Sequence, residues 1–176
     1  MGPLPEQPPV SPVTSPVAEV AVEVRAEHHL FHLVDTAAPP GGEPDDEPET
    51  PRHGQLATTA PGTGTVTFNS ALSDHYPHVS LQHWRTPPPP PPPGDWPHQV
   101  RLAVDLQGGR LTLASGVSRL PTDAALRLPP GRYTLTAYRS ALRPTREPLP
   151  RGAEQWLLRL WPVAAVDDDP ARDRGT

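Results

Sequence analysis

Leu126-Arg127-Leu128-Pro129-Pro130-Gly131-Arg132-Tyr133-Thr134-Leu135-Thr136-Ala137-Tyr138-Arg139, a loop, and then Gln155-Trp156-Leu157-Leu158-Arg159-Leu160-Trp161-Pro162 is the stretch that decides the fold. Tyr133, Leu135 and Ala137 recur at every second position, with Arg132, Thr134, Thr136 and Tyr138 between them. That is the pattern of a half-buried strand. Trp156, Leu158 and Leu160 repeat it. Leu157, Arg159 and Trp161 occupy the other parity, so this last strand is expected to be covered on both faces and to lie centrally in a sheet.

Working outward, Val100, Leu102, Val104 and Leu106 alternate with Arg101, Ala103, Asp105 and Gln107. Gly108-Gly109 follows, then Leu111 and Leu113, which reads as a β-hairpin with a two-residue turn. Upstream, Val66 and Phe68 mark a strand in Thr65–Asn69, and Val79, Leu81 and His83 mark another in His78–Trp84. Val20, Val22 and Val24 alternate with Ala21, Glu23 and Arg25. The apolar set then moves to Phe31 and Leu33, the opposite parity, which predicts a bulge or bend at Ala26–His29. Seven to nine short strands, no helical period and turn signals between them predict an all-β fold. The expected form is an antiparallel β-sandwich of Greek-key type.

Composition frames that domain. The chain has 176 residues with 29 prolines and 13 glycines, an excess that is local. Residues 1–17 are expected to be a disordered proline-rich segment, and 18–162 a single β-sandwich domain. Flexible insertions are expected at 37–62, which is acidic, and at 86–95; 163–176 reads as a disordered acidic tail. Arg25 and Arg52 stand against ten acids in the first 62 residues, whereas thirteen arginines face ten acids in the remainder. The folded part is thus mildly basic, with its arginines scattered at exposed strand positions. Such a solvated face argues against nucleic-acid binding.

Several chemistries are excluded outright. There is no cysteine, so there is no disulfide and no thiolate metal site. All 15 basic residues are arginine, which removes a lysine nucleophile, a Schiff base and a phosphate-loop lysine. Thr63-Gly64-Thr65 lacks the helix a phosphate loop needs. No run of ~18 apolar residues is present to span a membrane. The first nine residues lack a basic region and an apolar region, and Glu6 stands where a myristoylation signal wants Ser or Thr. Cytoplasmic residence and the absence of a cofactor are the expectations that follow.

The remaining candidates carry competing readings. His28, His32 and His83 are metal-ligand candidates if strand packing brings them together; the plainer reading is surface and strand-end histidines. Ser73-Asp74-His75 has the residue types of a hydrolytic triad, but triad members meet from separate elements, so a loop or strand cap is expected. Asp105 and Glu154 could serve paired-carboxylate chemistry in a shared cleft. Glu154 also fits an edge-strand charge that discourages association. Pro87–Pro93 is a stiff, extended run, either a ligand for an aromatic-lined groove or a rigid connector on which Trp84 and Trp96 pack. Trp84, Trp96, Tyr138, Trp156 and Trp161 are protein-binding candidates, against a bland role as core or core-edge aromatics.

Arg132-Tyr133 through Arg139, with Glu154-x-Trp156-Leu157-Leu158-Arg159-Leu160-Trp161-Pro162, resembles the ending of a group of small actinobacterial all-β proteins of unknown function. That group is distantly similar to the competence protein J family, small β proteins that inhibit a partner nuclease. The likeness spans about 60 residues and its motif is structural. It implies a non-enzymatic β-sandwich that binds another protein, as an inhibitor or immunity-type partner of a nuclease or toxin. A small-ligand or metal-binding β-barrel using the strand histidines is the second reading, and a polyproline-presenting scaffold the third.

Overall fold

A computed structural model describes residues 15–37 and 50–164, and ten strands run through them: β1 (Ala18–Glu23), β2 (Leu30–Asp35), β3 (Ala57–Ala60), β4 (Thr65–Asn69), β5 (Tyr76–His83), β6 (His98–Leu106), β7 (Arg110–Ser115), β8 (Pro121–Arg127), β9 (Gly131–Arg139) and β10 (Arg151–Pro162). Most of the expected proline-rich lead-in, the Glu43–Glu49 stretch and most of the acidic tail lie outside the described residues. The strands form two five-stranded sheets, ordered β1-β5-β10-β9-β6 and β3-β4-β2-β7-β8. Every pairing is antiparallel except β5 with β10, which is parallel. The chain is all-β, as its alternation predicts.

The two sheets meet through the period-two stripes. Trp156, Leu158, Leu160, Leu135 and Ala137 from the first sheet are buried against Phe31, Leu33, Val66, Phe68, Leu111 and Leu113 from the second. At the centre, Trp156 stands edge-on to Phe31 and Phe68 at 5.1 and 5.4 Å, and the two phenyl rings stack at 4.9 Å. Burying each of these rings stabilises the fold by roughly 1.5–3 kcal/mol, and each ring pair adds about 0.5–1.5 kcal/mol beyond its area. β10 is central, as expected. Its outward-facing Leu157 and Trp161 are also buried.

The proline run lies on this same outer face. β5 and β6 run in the same direction in one sheet with β10 and β9 between them, so residues 84–97 must cross back over the outer face. Arg159 Nη1 donates to the Pro89 carbonyl at 2.7 Å. Pro88 and Pro91 are half-buried while most of their neighbours are exposed, the spacing that a three-residue-per-turn rod lying on a surface produces.

The Gly108-Gly109 hairpin does not form. β6 pairs with β9 in the first sheet and β7 with β2 and β8 in the second, so this turn is an arch between sheets. Asp35 makes the arch. Its carboxylate accepts from the backbone N–H groups of Ala37, Gln107, Gly108, Gly109 and Arg110, which fixes a conformation no hairpin ladder would hold. Gly109 has φ +72°, and a Cβ there would come 2.0 Å from the Leu128 carbonyl oxygen.

The parity change after Val24 has the same origin. The chain leaves the first sheet at β1, turns through His28 and His29 at φ 50° and 71°, and enters the second sheet at β2. Of the expected bulge or bend it is a bend, between two separate strands and with a change of sheet. The insertion at 37–62 also closes earlier than its composition suggests, because Ala57–Ala60 is an edge strand paired with β4.

Candidate functional site

The stripes that build the core end in polar residues at one mouth of the sandwich. On β9 the inward series Tyr133, Leu135, Ala137 continues to Arg139; on β6 the series Val104, Leu102, Val100 continues to His98. Arg139 and His98 are paired in register. The second sheet brings Asn69 and Ser70 at the end of β4, His29 at the turn before β2, and His53 and Gln55 before β3. Between them lies a cleft of about 640 Å³. Arg139 Nη1 donates to the Asn69 carbonyl at 3.1 Å, while its buried Nε has no hydrogen-bond partner among the described residues.

Beneath the cleft is a buried polar network, of which Ser70 also lines the cleft. Ser70, His75 and Glu154 are all buried. Glu154 accepts from Ser70 Oγ at 2.7 Å, from the Ala71 N–H at 2.8 Å and from Trp156 Nε1 at 2.5 Å. Ser70 Oγ is also bonded to His75 Nε2. The single hydroxyl proton goes to the carboxylate, so His75 must donate its Nε2–H to the serine oxygen. Burial, partly opposed by the Glu154 charge, lowers the His75 pKa and keeps the ring neutral.

This is the reverse of a hydrolytic arrangement, in which histidine accepts the serine proton and the acid holds the far ring nitrogen. Here the acid holds the serine, and His75 Nδ1 has no partner among the described residues. Ser73 and Asp74 remain outside the network, their side chains bonded to each other at 3.1 Å. Glu154 is therefore a core acid and not the expected edge charge. Its parity with Trp156, Leu158 and Leu160 is the signal that could have shown this.

The metal-ligand candidates are placed apart. His28 is exposed at the turn before β2. His32 is buried in the second sheet, with Nδ1 3.0 Å from Thr67 Oγ1 and Nε2 3.0 Å from the Gly116 carbonyl. His83 lies in the first sheet, edge-on to Tyr133 at 6.1 Å. No group of three or more potential ligands among the described residues is arranged to hold an ion.

The five aromatic candidates divide. Trp156 is in the core. Trp84 and Trp161 are buried on the outer face, where Arg159 lies 5.4 Å over Trp84 and Arg101 5.6 Å over Trp161. Trp96 and Tyr138 are half-buried and meet edge-on at 6.3 Å beside the proline run. These rings and arginines form a packed layer under the connector.

A more exposed apolar feature went unnoticed in the sequence. The β7–β8 loop presents Val117 and Leu120 at 65% and 67% exposure. The loop is braced. Glu27 accepts from the Ser118 N–H at 2.7 Å and from Ser118 Oγ at 2.8 Å, and Ser115 Oγ receives the Leu120 N–H at 2.9 Å. The Ser118 N–H bond leads the interactions that lower the Glu27 pKa. Two serines, Ser115 and Ser118, interleaved with Val117 and Leu120 in six residues, would have been the signal.

No helix among the described residues is long and apolar enough to cross a membrane. No protein-family model matches the sequence, and no curated protein matches it. Solved structures do share the fold. ComJ from Bacillus subtilis, an inhibitor of the DNA-degrading activity of NucA, aligns with a TM-score of 0.56 at 11% identity, over 85% of this chain and 98% of that one. The protein of crocagin biosynthetic gene J aligns with a TM-score of 0.50 at 15% identity, over 83% of this chain and 99% of that one. The chain therefore has a ComJ-like fold along nearly the whole length of both structures.

Proposed function

We propose that the protein is a non-enzymatic binding protein that occludes the working surface of another protein, in the manner of a nuclease or toxin inhibitor. The observation that carries this reading is the braced β7–β8 tip. Two large apolar side chains in water, on a loop already held by Glu27 and Ser115, cost little further ordering on contact. The fold likeness to ComJ supports the inhibitor class, and the inverted Ser70 network speaks against hydrolysis. Trp156 is enclosed in the core and the packed outer layer leaves Trp84 and Trp161 little surface to offer, so the tip is the stronger anchor.

The test pairs the purified protein with a nuclease encoded beside its gene and measures DNA degradation. Loss of degradation at stoichiometric protein, with a stable complex on size exclusion, is the expected result. Full nuclease rate at saturating protein, or substrate turnover by the protein alone, overturns the reading.

A further inference from the structure

We propose that the cleft at the mouth of the sandwich is a binding site for the phosphate group of a small molecule. This inference stands apart from the protein-binding reading. Its first support is the character of the lining: the Arg139 cation stands there with the imidazoles of His53 and His98, and no carboxylate is among the lining residues. Glu154 lies below, with Ser70, Ala71 and Trp156 already donating to its oxygens.

The second support is unused donor capacity. Arg139 lines the cleft and, among the described residues, commits Nη1 to the Asn69 carbonyl at 3.1 Å; its Nε is withdrawn from the cleft and from water, so the Nη groups are the donors it can offer an occupant. Gln55 Oε1 is occupied by the Arg52 N–H at 2.9 Å, which leaves its NH₂ group to donate. His29 Nδ1–H donates to the Ser70 carbonyl at 3.1 Å, so that ring is committed to the wall of the cleft and is not counted among the donors.

Geometry selects the ligand. The donors come from opposite walls, His98 and Arg139 from the first sheet and His53 and Gln55 from the second. A planar carboxylate offers two oxygens in one plane, whereas a tetrahedral phosphate offers acceptors on all sides. A metal ion does not fit, because the imidazoles do not gather into a ligand set. The volume, about 640 Å³, is within the range of small-ligand pockets, roughly 300–1,000 Å³. It has room for a nucleotide as well as for a free anion.

The experiment titrates the intact protein with inorganic phosphate, pyrophosphate and adenosine monophosphate by calorimetry, with sodium acetate at matched ionic strength as control. His98→Glu and Arg139→Gln are the variants; His98 is exposed at a strand end, so that variant keeps the fold, as circular dichroism would verify. Saturable binding of a phosphate compound, weakened about tenfold or more in His98→Glu, is expected. Tighter binding of the nucleotide identifies a phosphate ester as the ligand, and equal binding identifies phosphate itself. No heat beyond the acetate control, or binding unchanged in both variants, overturns the proposal.

Discussion

Ser70 and Glu154, 84 positions apart in the chain, share a buried hydrogen bond of 2.7 Å that ties the end of β4 in one sheet to β10 in the other. It forms where the β10 register with β5 shifts, between Arg151 and Gln155. Stability at this end of the sandwich rests on a carboxylate with three protein donors, in a position the hydrophobic stripe would otherwise fill with an apolar residue.

Glu154→Ala should therefore be severely destabilising. It strands the Ser70 hydroxyl, the Ala71 N–H and the Trp156 indole N–H without an acceptor, each worth about 1–3 kcal/mol when buried. The three share one acceptor, so the total should be about 3–5 kcal/mol in urea unfolding and not a simple sum. Ser70→Ala, which removes one hydroxyl, should cost about 1–3 kcal/mol. A loss under 1 kcal/mol for Glu154→Ala would mean the network is solvated.

Asp35, buried at the arch between β6 and β7, should also be sensitive to substitution. Burial pushes its pKa up, but the N–H groups of Gly108, Gly109, Arg110 and Ala37 outweigh that and hold it below the usual value. Because the folded-state pKa is depressed, its stabilisation is present above the unfolded value, near pH ~4, and is lost as pH falls through the folded one. Asp35→Asn should cost about 2–4 kcal/mol at neutral pH, since hydrogen bonds to a charged acceptor are the stronger kind. It should also flatten the stability profile between pH 4 and pH 2, relative to wild type. An unchanged acid slope in the variant would contradict this account.

His32 should contribute in the same sense but at higher pH. Burial lowers its pKa, with the Gly116 carbonyl only partly opposing. The neutral ring fits its site, since Nε2–H donates to Gly116 and Nδ1 accepts from Thr67. The unfolded chain then binds the proton more readily than the folded one, so stability falls as pH drops below about 6.5. His75, also lowered chiefly by burial, adds to the same slope. Urea midpoints at pH 7, 6 and 5 should decline in wild type and decline less steeply in His32→Gln.

The strands were legible because alternation survives in the sequence whatever a strand pairs with. The pairing was not. Leu106-Gln107-Gly108-Gly109-Arg110-Leu111 reads the same whether the chain folds back beside itself or arches to the facing sheet. Only Asp35, more than 70 positions upstream, distinguishes the two. β3 escaped notice because Ala57-Thr58-Thr59-Ala60 alternates nothing; its ladder to β4 supplies the order. At the cleft, His98 and Arg139 continue apolar stripes and could have been read as the polar ends of a core. Their meeting with His29 and His53 depends on a sheet order that no local pattern encodes.

The β7–β8 tip yields the sharpest test of partner binding. Val117→Asp with Leu120→Asp places charges where two exposed side chains now meet only water, so the unfolding free energy should change by no more than about 0.5 kcal/mol. If the tip fills a pocket on a partner, the same pair should weaken the complex by about 2 kcal/mol or more, a loss of some thirtyfold or greater in Kd. Glu27→Gln separates anchoring from preorganisation. It leaves both apolar side chains in place but weakens the bonds to Ser118 that brace the loop. Affinity should then fall by a smaller factor, chiefly through a faster dissociation rate. Titration of nuclease inhibition with the three proteins distinguishes these outcomes. Equal inhibition by the double variant and wild type would move the contact surface away from this loop.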